Sequence, residues 1–412
     1  MNNLFVSFSS RLFFGTLIAA CLPMAVLDPI LGFYQGKEAF TVSILLSGTA
    51  HFFNAKSLYV LSNYPGRTYS IVTLPHTFFW YFGSWMTAKF FNLPYSVWFL
   101  FLGGCTSLAL CLAGIVYRNP NKQIYAYLPF GYAKHAEHLP NAVWIRLTEP
   151  KLIQNNITAI VADLHDPNLD AQWQHFLAQQ TLNGMPVYHI RRVEEVLTGR
   201  VKIRHLYENE LGSLLPSPTY ALIKRILDMV LVVFSLPIAL PIMLIAALAI
   251  KYEGGGKVLF IQNRVGQGGK EFRLYKLRSM AVDSEQNGAK LAAPNDTRIT
   301  RVGQFIRKTR IDELPQFFNV FKGNMSLIGP RPEQQALVTE FEQRLPFYSY
   351  RHIVKPGISG WAQVTQGYAG DENETQIKIE HDFYYIKHFS FSLDLLIFFK
   401  TLKTIFTGFG AR

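Results

Sequence analysis

Between Met229 and Ile250 the chain runs for 22 residues without a charged side chain. A helix needs about 20 apolar residues to cross the hydrocarbon core of a bilayer, so this stretch alone directs the fold to a membrane. Four further apolar segments precede it, at residues 12–33, 40–61, 70–91 and 95–117. The fourth is the cleanest; the second contains His51, Asn54 and Lys56, and the third contains Pro75 and His76. Hydrophobic residues make up 49% of the 412 residues and charged ones 17%, a balance that implies membrane segments.

The number of crossings decides where the rest of the chain lies. Four crossings in residues 1–118, a four-helix transmembrane bundle, return to the starting side. Placing both ends in the cytoplasm puts Arg11, Arg67, Arg118 and Lys122 inside and the near-neutral Lys37/Glu38 loop and Lys89 outside, as the positive-inside bias prefers. The N-terminal stretch reads as a retained anchor, because further apolar segments and no clear cleavage box follow. His51 and His76 read as bundle-facing or interfacial residues. Cys21, Cys105 and Cys111 lie in apolar stretches and read as small buried hydrophobes. A fifth crossing at 229–250 would carry the basic C-terminal part out of the cytoplasm. Pro237 and Pro241 sit in the middle of that segment, where each removes a helix hydrogen bond and can bend the chain. A re-entrant helix (224–251) that enters and leaves by the cytoplasmic face reconciles these facts; a kinked spanning helix is the alternative. Lys224, Arg225 and Asp228 then lie at the headgroup level, with the basic pair facing anionic lipid.

Residues 119–211 have the composition of a soluble α/β domain. The runs QIYAYL, AVWIRL, ITAIVADL and MPVYHI alternate with helix-forming stretches, which predicts a parallel sheet. YLPFGYAKH lacks the G-x-G-x-x-G that lets backbone approach a pyrophosphate, so the segment carries no dinucleotide fingerprint. Asp163 and Asp166 read as ordinary strand-end acids. Residues 212–223, with GSLLPSPTY, form a linker to the remaining part, 224–412.

In that part, RKTRIDELPQFFNVFKGNMSLIGPRP sets Asp312 and Glu313 between Arg307, Lys308, Arg310 and Arg331. Pro315 is tolerated only in the first turn of a helix, so the two acids sit at or just before a helix start. Alone, such a pair would only cap the helix and meet Arg310. VLFIQNRVGQGGKEFRLYKLRSM reads as a β-hairpin with Lys276 and Arg278 pointing to one side. Residues 282–297 read as a polar loop covering the site. LIGPRP holds Arg331 between two prolines, a rigid presentation of a guanidinium to phosphate. KPGISGW leads to Trp361, followed by Gln363. The C-terminal run 384–409 suits an interfacial amphipathic helix, because Asp394, Lys400 and Lys403 interrupt it.

The series YKLRSM, RIDELPQFFNVFKGNMSLIGPRP, VKPGISGWAQV and HDFYYIKHFS closely resembles the bacterial sugar transferases, the monotopic polyprenyl-phosphate phosphoglycosyl transferases, from about Lys224 to the C-terminus. The resemblance implies a membrane protein of three parts: an N-terminal transmembrane helical bundle, a Rossmann-like α/β domain, and a C-terminal monotopic α+β catalytic domain with a re-entrant helix broken at Pro241. It implies transfer of a sugar 1-phosphate from a UDP-sugar to undecaprenyl phosphate at the cytoplasmic face of the bacterial inner membrane. Asp312 would be the nucleophile and Glu313 a Mg²⁺ ligand. Arg331, Lys276, Arg278 and Arg310 would bind substrate phosphate, with Trp361, Gln363 and Asp382 as further candidates. The formal charge of +12 then points to anionic lipid and phosphorylated substrates and away from nucleic acid. The α/β domain reads as structural, regulatory or oligomerising, which allows a homodimer. A non-catalytic membrane scaffold or sensor of glycan assembly, and a nucleotide-sugar oxidoreductase, are the competing classes; the intact acid pair disfavours the first and the missing glycine fingerprint the second.

Overall fold

The computed structural model describes residues 8–61, 64–65, 69–117, 123–152, 156–203, 215–281, 296–366 and 372–407. They fall into two compact units, Met1–Gly199 and Arg200–Arg412. The expected polar loop at 282–297 lies almost entirely outside the described residues.

The first unit opens with α1 (Phe8–Leu61), 54 residues of helix. On a straight rod Ala19 and Ser47 would stand about 42 Å apart at 1.5 Å per residue. Instead the Ser47 hydroxyl donates to the Ala19 carbonyl at 2.9 Å, and the rings of Phe8 and Tyr59 stack. The chain therefore doubles back, and two antiparallel arms correspond to the first two apolar segments. Both α2 (Tyr69–Phe90) and α3 (Val97–Tyr117) pack against α1. The polar residues that interrupt the apolar pattern meet one another inside. Asn54 donates to Thr77 and Ser107 at 3.0 Å each, its carbonyl oxygen lies 2.8 Å from His76 Nδ1, and His51 Nδ1 lies 2.8 Å from the Ser107 hydroxyl. A polar group facing hydrocarbon is costly, so mutual pairing explains their placement. Among the described residues, Phe8–Leu27, Val97–Gly114 and Pro218–Glu253 are long and apolar enough to cross a membrane.

All four anticipated strands form: β1 (Gln123–Tyr127), β2 (Ala142–Arg146), β3 (Ala159–Ala162) and β4 (Val187–His189), with α4 (Ala171–Leu182) and α5 (Ile190–Thr198). Every pairing is parallel, in the order β2-β1-β3-β4. Both faces are covered, one by a cluster around Ile160, Trp173 and Phe176, the other by Tyr127, Val161, Ile190 and Val193. A parallel sheet requires this double cover.

The second compact unit begins at Arg200. The Val201 N–H donates to the Glu380 carbonyl at 3.0 Å, which ties this stretch to the C-terminal part. Next comes α6 (Pro218–Glu253), then the antiparallel hairpin of β5 (Leu259–Val265) and β6 (Glu271–Leu277). They are followed by α7 (Arg301–Lys308), a 3-10 turn at Ile311–Glu313 and α8 (Gln316–Lys322). Downstream, β7 (Ser326–Ile328) pairs in parallel with β8 (Gly357–Ser359), around α9 (Gln335–Arg344) and a 3-10 stretch at Tyr348–Ile353. The chain closes with α10 (Trp361–Thr365), α11 (Glu372–Lys387) and α12 (Phe391–Thr407). Just before its midpoint, α6 packs through Val232 against Phe272, Leu274, Val320 and Met325; near its end, Ala246 and Ile250 pack against Leu277 and Ile306. Phe234, Ile238, Leu244, Ile245 and Leu248 stay exposed.

Two expectations change here. Lys224 does not face lipid: it is buried, with its ammonium 2.6 Å from Asp394 Oδ2, and Asp228 is buried against the Ser326 hydroxyl at 2.7 Å. The C-terminal run is two helices, and in α12 the interrupting residues Asp394 and Lys400 lie on the buried side. Asp394 also accepts from Tyr220 at 2.6 Å and Tyr385 at 2.8 Å, which supplies the hydrogen bonds a buried ion pair needs. Asp394→Ala, which leaves Lys224 charged and buried, is expected to cost about 3 kcal/mol or more. Adding Lys224→Met should recover much of the lost thermal midpoint, measured in detergent solution.

Candidate active site

Asp312 and Glu313 occupy the 3-10 turn that α7 and α8 flank, and only 7% and 6% of their surfaces are exposed. Arg310, just before them, takes a left-handed backbone (φ 60°), which turns the chain sharply between α7 and the acids. Pro315 caps α8 as the sequence implies.

Three cations converge on Glu313, two from other segments and one from the start of its own turn. Lys276 of β6 approaches Oε1 at 3.4 Å, Arg331 approaches the same oxygen at 3.1 Å, and Arg310 lies 3.6 Å from Oε2. Burial alone would raise the Glu313 carboxyl, but Arg331, Lys276 and Arg310 outweigh it and hold Glu313 well below the usual carboxylate range. Asp312 has the opposite balance. Burial and the adjacent Glu313 charge push it up to about 6 against the pull of Lys276, Arg307 and Arg331.

Backbone tethers fix each cation. The Asn319 side chain of α8 donates to the Arg273 carbonyl at 2.6 Å and accepts from the Tyr275 N–H at 3.1 Å. It thus serves as one more rung on β6 and sets Lys276 beside the acids. Around Arg331, the Pro330 carbonyl accepts from Gly357 at 2.9 Å and the Arg331 carbonyl from Arg351 at 2.8 Å. Arg351 is itself buried and paired with Asp382 at 2.8 Å. The β7–β8 approach demands glycine: a Cβ on Gly357 would stand 2.0 Å from the Gly329 nitrogen. Glu333, next to the loop, is held by Lys378 at 2.6 Å and Arg264 at 3.6 Å.

Of the residues singled out from sequence, Asp312, Glu313, Lys276, Arg310 and Arg331 are brought together. Arg278 is placed elsewhere, donating to the carbonyls of Gly255 at 2.6 Å, Gly254 at 3.0 Å and Ile250 at 3.3 Å, so it caps the end of α6. Trp361 is 1% exposed, stacked on Tyr384, with the Lys400 ammonium 4.5 Å from its ring centroid. Gln363 donates weakly to the Ile358 carbonyl at 3.4 Å. Asp382 sits behind the Arg331 loop through Arg351. Pro237 and Pro241 lie within α6. Sequence reasoning passed over Asn319 and Arg351, and noted Arg307 only as one of the basic residues flanking the acids. Arg307 has a buried Nη1 without a hydrogen-bond partner among the described residues, and its charge bears on Asp312.

The chain itself has relatives among known proteins. Residues 219–408 match the family model described as bacterial sugar transferase. A UDP-N-acetylgalactosamine-undecaprenyl-phosphate N-acetylgalactosaminephosphotransferase of Aeromonas hydrophila is 51% identical over 409 residues, 98% of this chain and 96% of that protein. A UDP-glucose:undecaprenyl-phosphate glucose-1-phosphate transferase of Escherichia coli is 39% identical over 221 residues, 53% of this chain and 45% of its own length. One of the same name from Xanthomonas campestris is 43% identical over 182 residues, 43% and 37% of the two chains. With a relative of this identity matched from end to end, the chain belongs to the bacterial sugar transferase family and is a phosphoglycosyl transferase.

Proposed function

We propose that this enzyme transfers a sugar 1-phosphate from a UDP-sugar to undecaprenyl phosphate through a phospho-aspartyl intermediate on Asp312. One observation carries the reading: a buried acid pair with three cations standing 3.1–3.6 Å from Glu313. Charge-assisted contacts normally close to about 2.7–2.9 Å, so these cations are held near but not locked to their acid. An incoming diphosphate can take them.

In the first step an Asp312 oxygen attacks the sugar-bearing phosphorus, and the bond to UMP breaks. In the second, an oxygen of the lipid phosphate attacks the same phosphorus and releases Asp312, leaving a polyprenyl diphosphosugar. Arg331, Lys276 and Arg310 stabilise the charge that builds on the phosphoryl oxygens. The donor set also fits Mg²⁺: Glu313 offers hard carboxylate oxygen, and its loose ion pairs leave that oxygen exchangeable in the one-carboxylate-plus-phosphates mode. When bound there, Mg²⁺ neutralises diphosphate charge. The Aeromonas relative matches over the whole chain, so UDP-N-acetylgalactosamine is the first donor to test. The product would begin a surface polysaccharide or O-antigen chain.

The membrane arrangement belongs to the same proposal. The two arms of α1 with α2 and α3 would form a four-helix transmembrane bundle in the inner membrane, with the catalytic unit on the cytoplasmic face. Re-entry of α6 is supported by its contacts. Arg225, near its start, donates to the Val320 and Phe321 carbonyls, and Ile250, at its end, accepts from Arg278. A helix spanning the bilayer would present these ends on opposite faces, about 30 Å apart.

Incubation with labelled UDP-N-acetylgalactosamine, without lipid acceptor, should release UMP and leave a phosphosugar on the protein. Asp312→Asn should do neither, and an Asn variant as active as the native chain would overturn the assignment. Because ionised Asp312 is the attacking form and its carboxyl is raised to about 6, activity should fall as pH drops below about 6, approaching tenfold per unit. Stability should move oppositely. A carboxyl raised above its unfolded value contributes stability at low pH that is lost as pH rises through 6. At pH 8, Asp312→Asn should therefore unfold at a higher temperature than the native chain, by up to ~3 kcal/mol of stability. The gain should vanish near pH 4.

A further inference from the structure

The α/β domain holds a second cluster of chemistry-bearing side chains, unrelated to the acid pair. With strand order β2-β1-β3-β4, the connections after β1 and β3 leave in opposite directions and open a crevice at the carboxyl edge of the sheet. Asp163, His165 and Asp166 follow β3 at that edge, and His189 ends β4. The Asp163 Oδ1 atom lies 3.2 Å from His189 Nε2, which is in turn 3.3 Å from His165 Nδ1. A tetrahedral metal with ligand bonds of about 2.0–2.1 Å has ligand-to-ligand edges of about 3.3–3.4 Å. The loop after β1 closes on the same place. Gly131 has φ +50°, and a Cβ there would stand 2.4 Å from both Asp163 Oδ2 and Asp166 Oδ2, so only glycine permits the approach. The Asp166 Oδ1 atom accepts from the Asn168 backbone and side chain at 2.7 and 2.8 Å; its Oδ2 has no hydrogen-bond partner among the described residues.

We propose that Asp163, His165 and His189 form a binding site for a transition-metal dication of the zinc class, with Asp166 or water completing the shell. Two imidazole nitrogens and one carboxylate select zinc, cobalt or nickel over magnesium and calcium, which prefer all-oxygen shells. Burial is graded suitably: Asp163 is buried, His189 half-buried and His165 exposed, leaving a path for the ion. Without metal, His189 caps α5, its Nδ1 accepting from the Arg191 N–H at 3.2 Å, so the neutral ring carries its proton on Nε2 and donates it to Asp163. Metal on Nε2 displaces that proton and sends one to Nδ1, which forfeits the cap. A lost cap of this kind weakens binding by roughly fivefold, small beside the contribution of three converging ligands. Asp163 is thus more than the ordinary strand-end acid that its position in the sequence suggests.

The test uses the full-length, untagged chain in detergent, stripped with chelator and titrated with Co²⁺ alone, then with Zn²⁺ as competitor. The native chain should take up one equivalent of Co²⁺ with the intense visible absorption of a tetrahedral site, displaced by Zn²⁺. His165→Ala, at an exposed position, should bind at least tenfold more weakly. Glu313→Gln, altered only in the acid pair of the other unit, should bind as the native chain does. Zn²⁺ should raise the thermal midpoint of the native chain and not of His165→Ala. Absence of the tetrahedral spectrum with Kd below roughly 100 μM, or equal binding by His165→Ala, would overturn the proposal, leaving His189 as a capping residue that donates to Asp163.

Discussion

Two adjacent carboxylates removed from water are tolerable only if cations surround them, and the catalytic unit is assembled to meet that demand around Asp312 and Glu313. The hairpin brings Lys276, the turn before the acids brings Arg310, and the β7–β8 crossing brings Arg331. Arg310 is local to the acids, but Lys276 and Arg331 come from other elements, so the site is complete only when both are docked. The tethers that do the docking are backbone contacts. Asn319 clips α8 to β6, and Arg351 clamps the Arg331 carbonyl.

Ion pairs in this unit differ in length. Three that join separate elements are tight, 2.6 Å for Lys224–Asp394, 2.6 Å for Lys378–Glu333 and 2.8 Å for Arg351–Asp382, while Arg264–Glu333 is longer at 3.6 Å. Those at Glu313 are longer, from 3.1 to 3.6 Å. The tight pairs hold separate elements together. The loose ones at Glu313 share three cations over one carboxylate, a frustrated arrangement in which positive charge exceeds what the acid can engage. That surplus is what a doubly charged diphosphate would relieve, and the same field keeps Glu313 ionised while burial and the Glu313 charge hold the neighbouring Asp312 carboxyl high.

Much of this was legible locally. The acid pair, Pro315, the hairpin, the GPRP loop and the four parallel strands each leave a signature within a dozen residues, because turn chemistry and strand alternation are short-range. What was not legible depends on distant partners. Lys224 beside an apolar run looks identical whether it snorkels to lipid or pairs internally, and its partner Asp394 lies 170 residues away. Arg278 was assigned to the Lys276 face by alternation, but β6 ends at Leu277 and the pleat with it. Asn319 gave no sign of its role, since its partners, Arg273 and Tyr275, lie on another element.

The apolar helix and the chemistry are joined by a short physical link. Arg225 binds the last carbonyls of α8, and α8 begins three residues after Glu313. Seven helical residues span about 10 Å, so the acids sit roughly one short helix from the point where α6 leaves the folded unit. Phe318 and Phe321, on that same helix, remain about half exposed alongside Leu222 and Ile226 of α6. Exposed aromatic and aliphatic side chains clustered at one end of the site suit an interface with lipid better than water. On the proposed re-entrant path, α6 therefore sets the depth of the protein in the bilayer and α8 the height of Asp312 above it. A lipid-borne phosphate, confined to the headgroup plane by its tail, can then reach the acid pair without leaving the membrane.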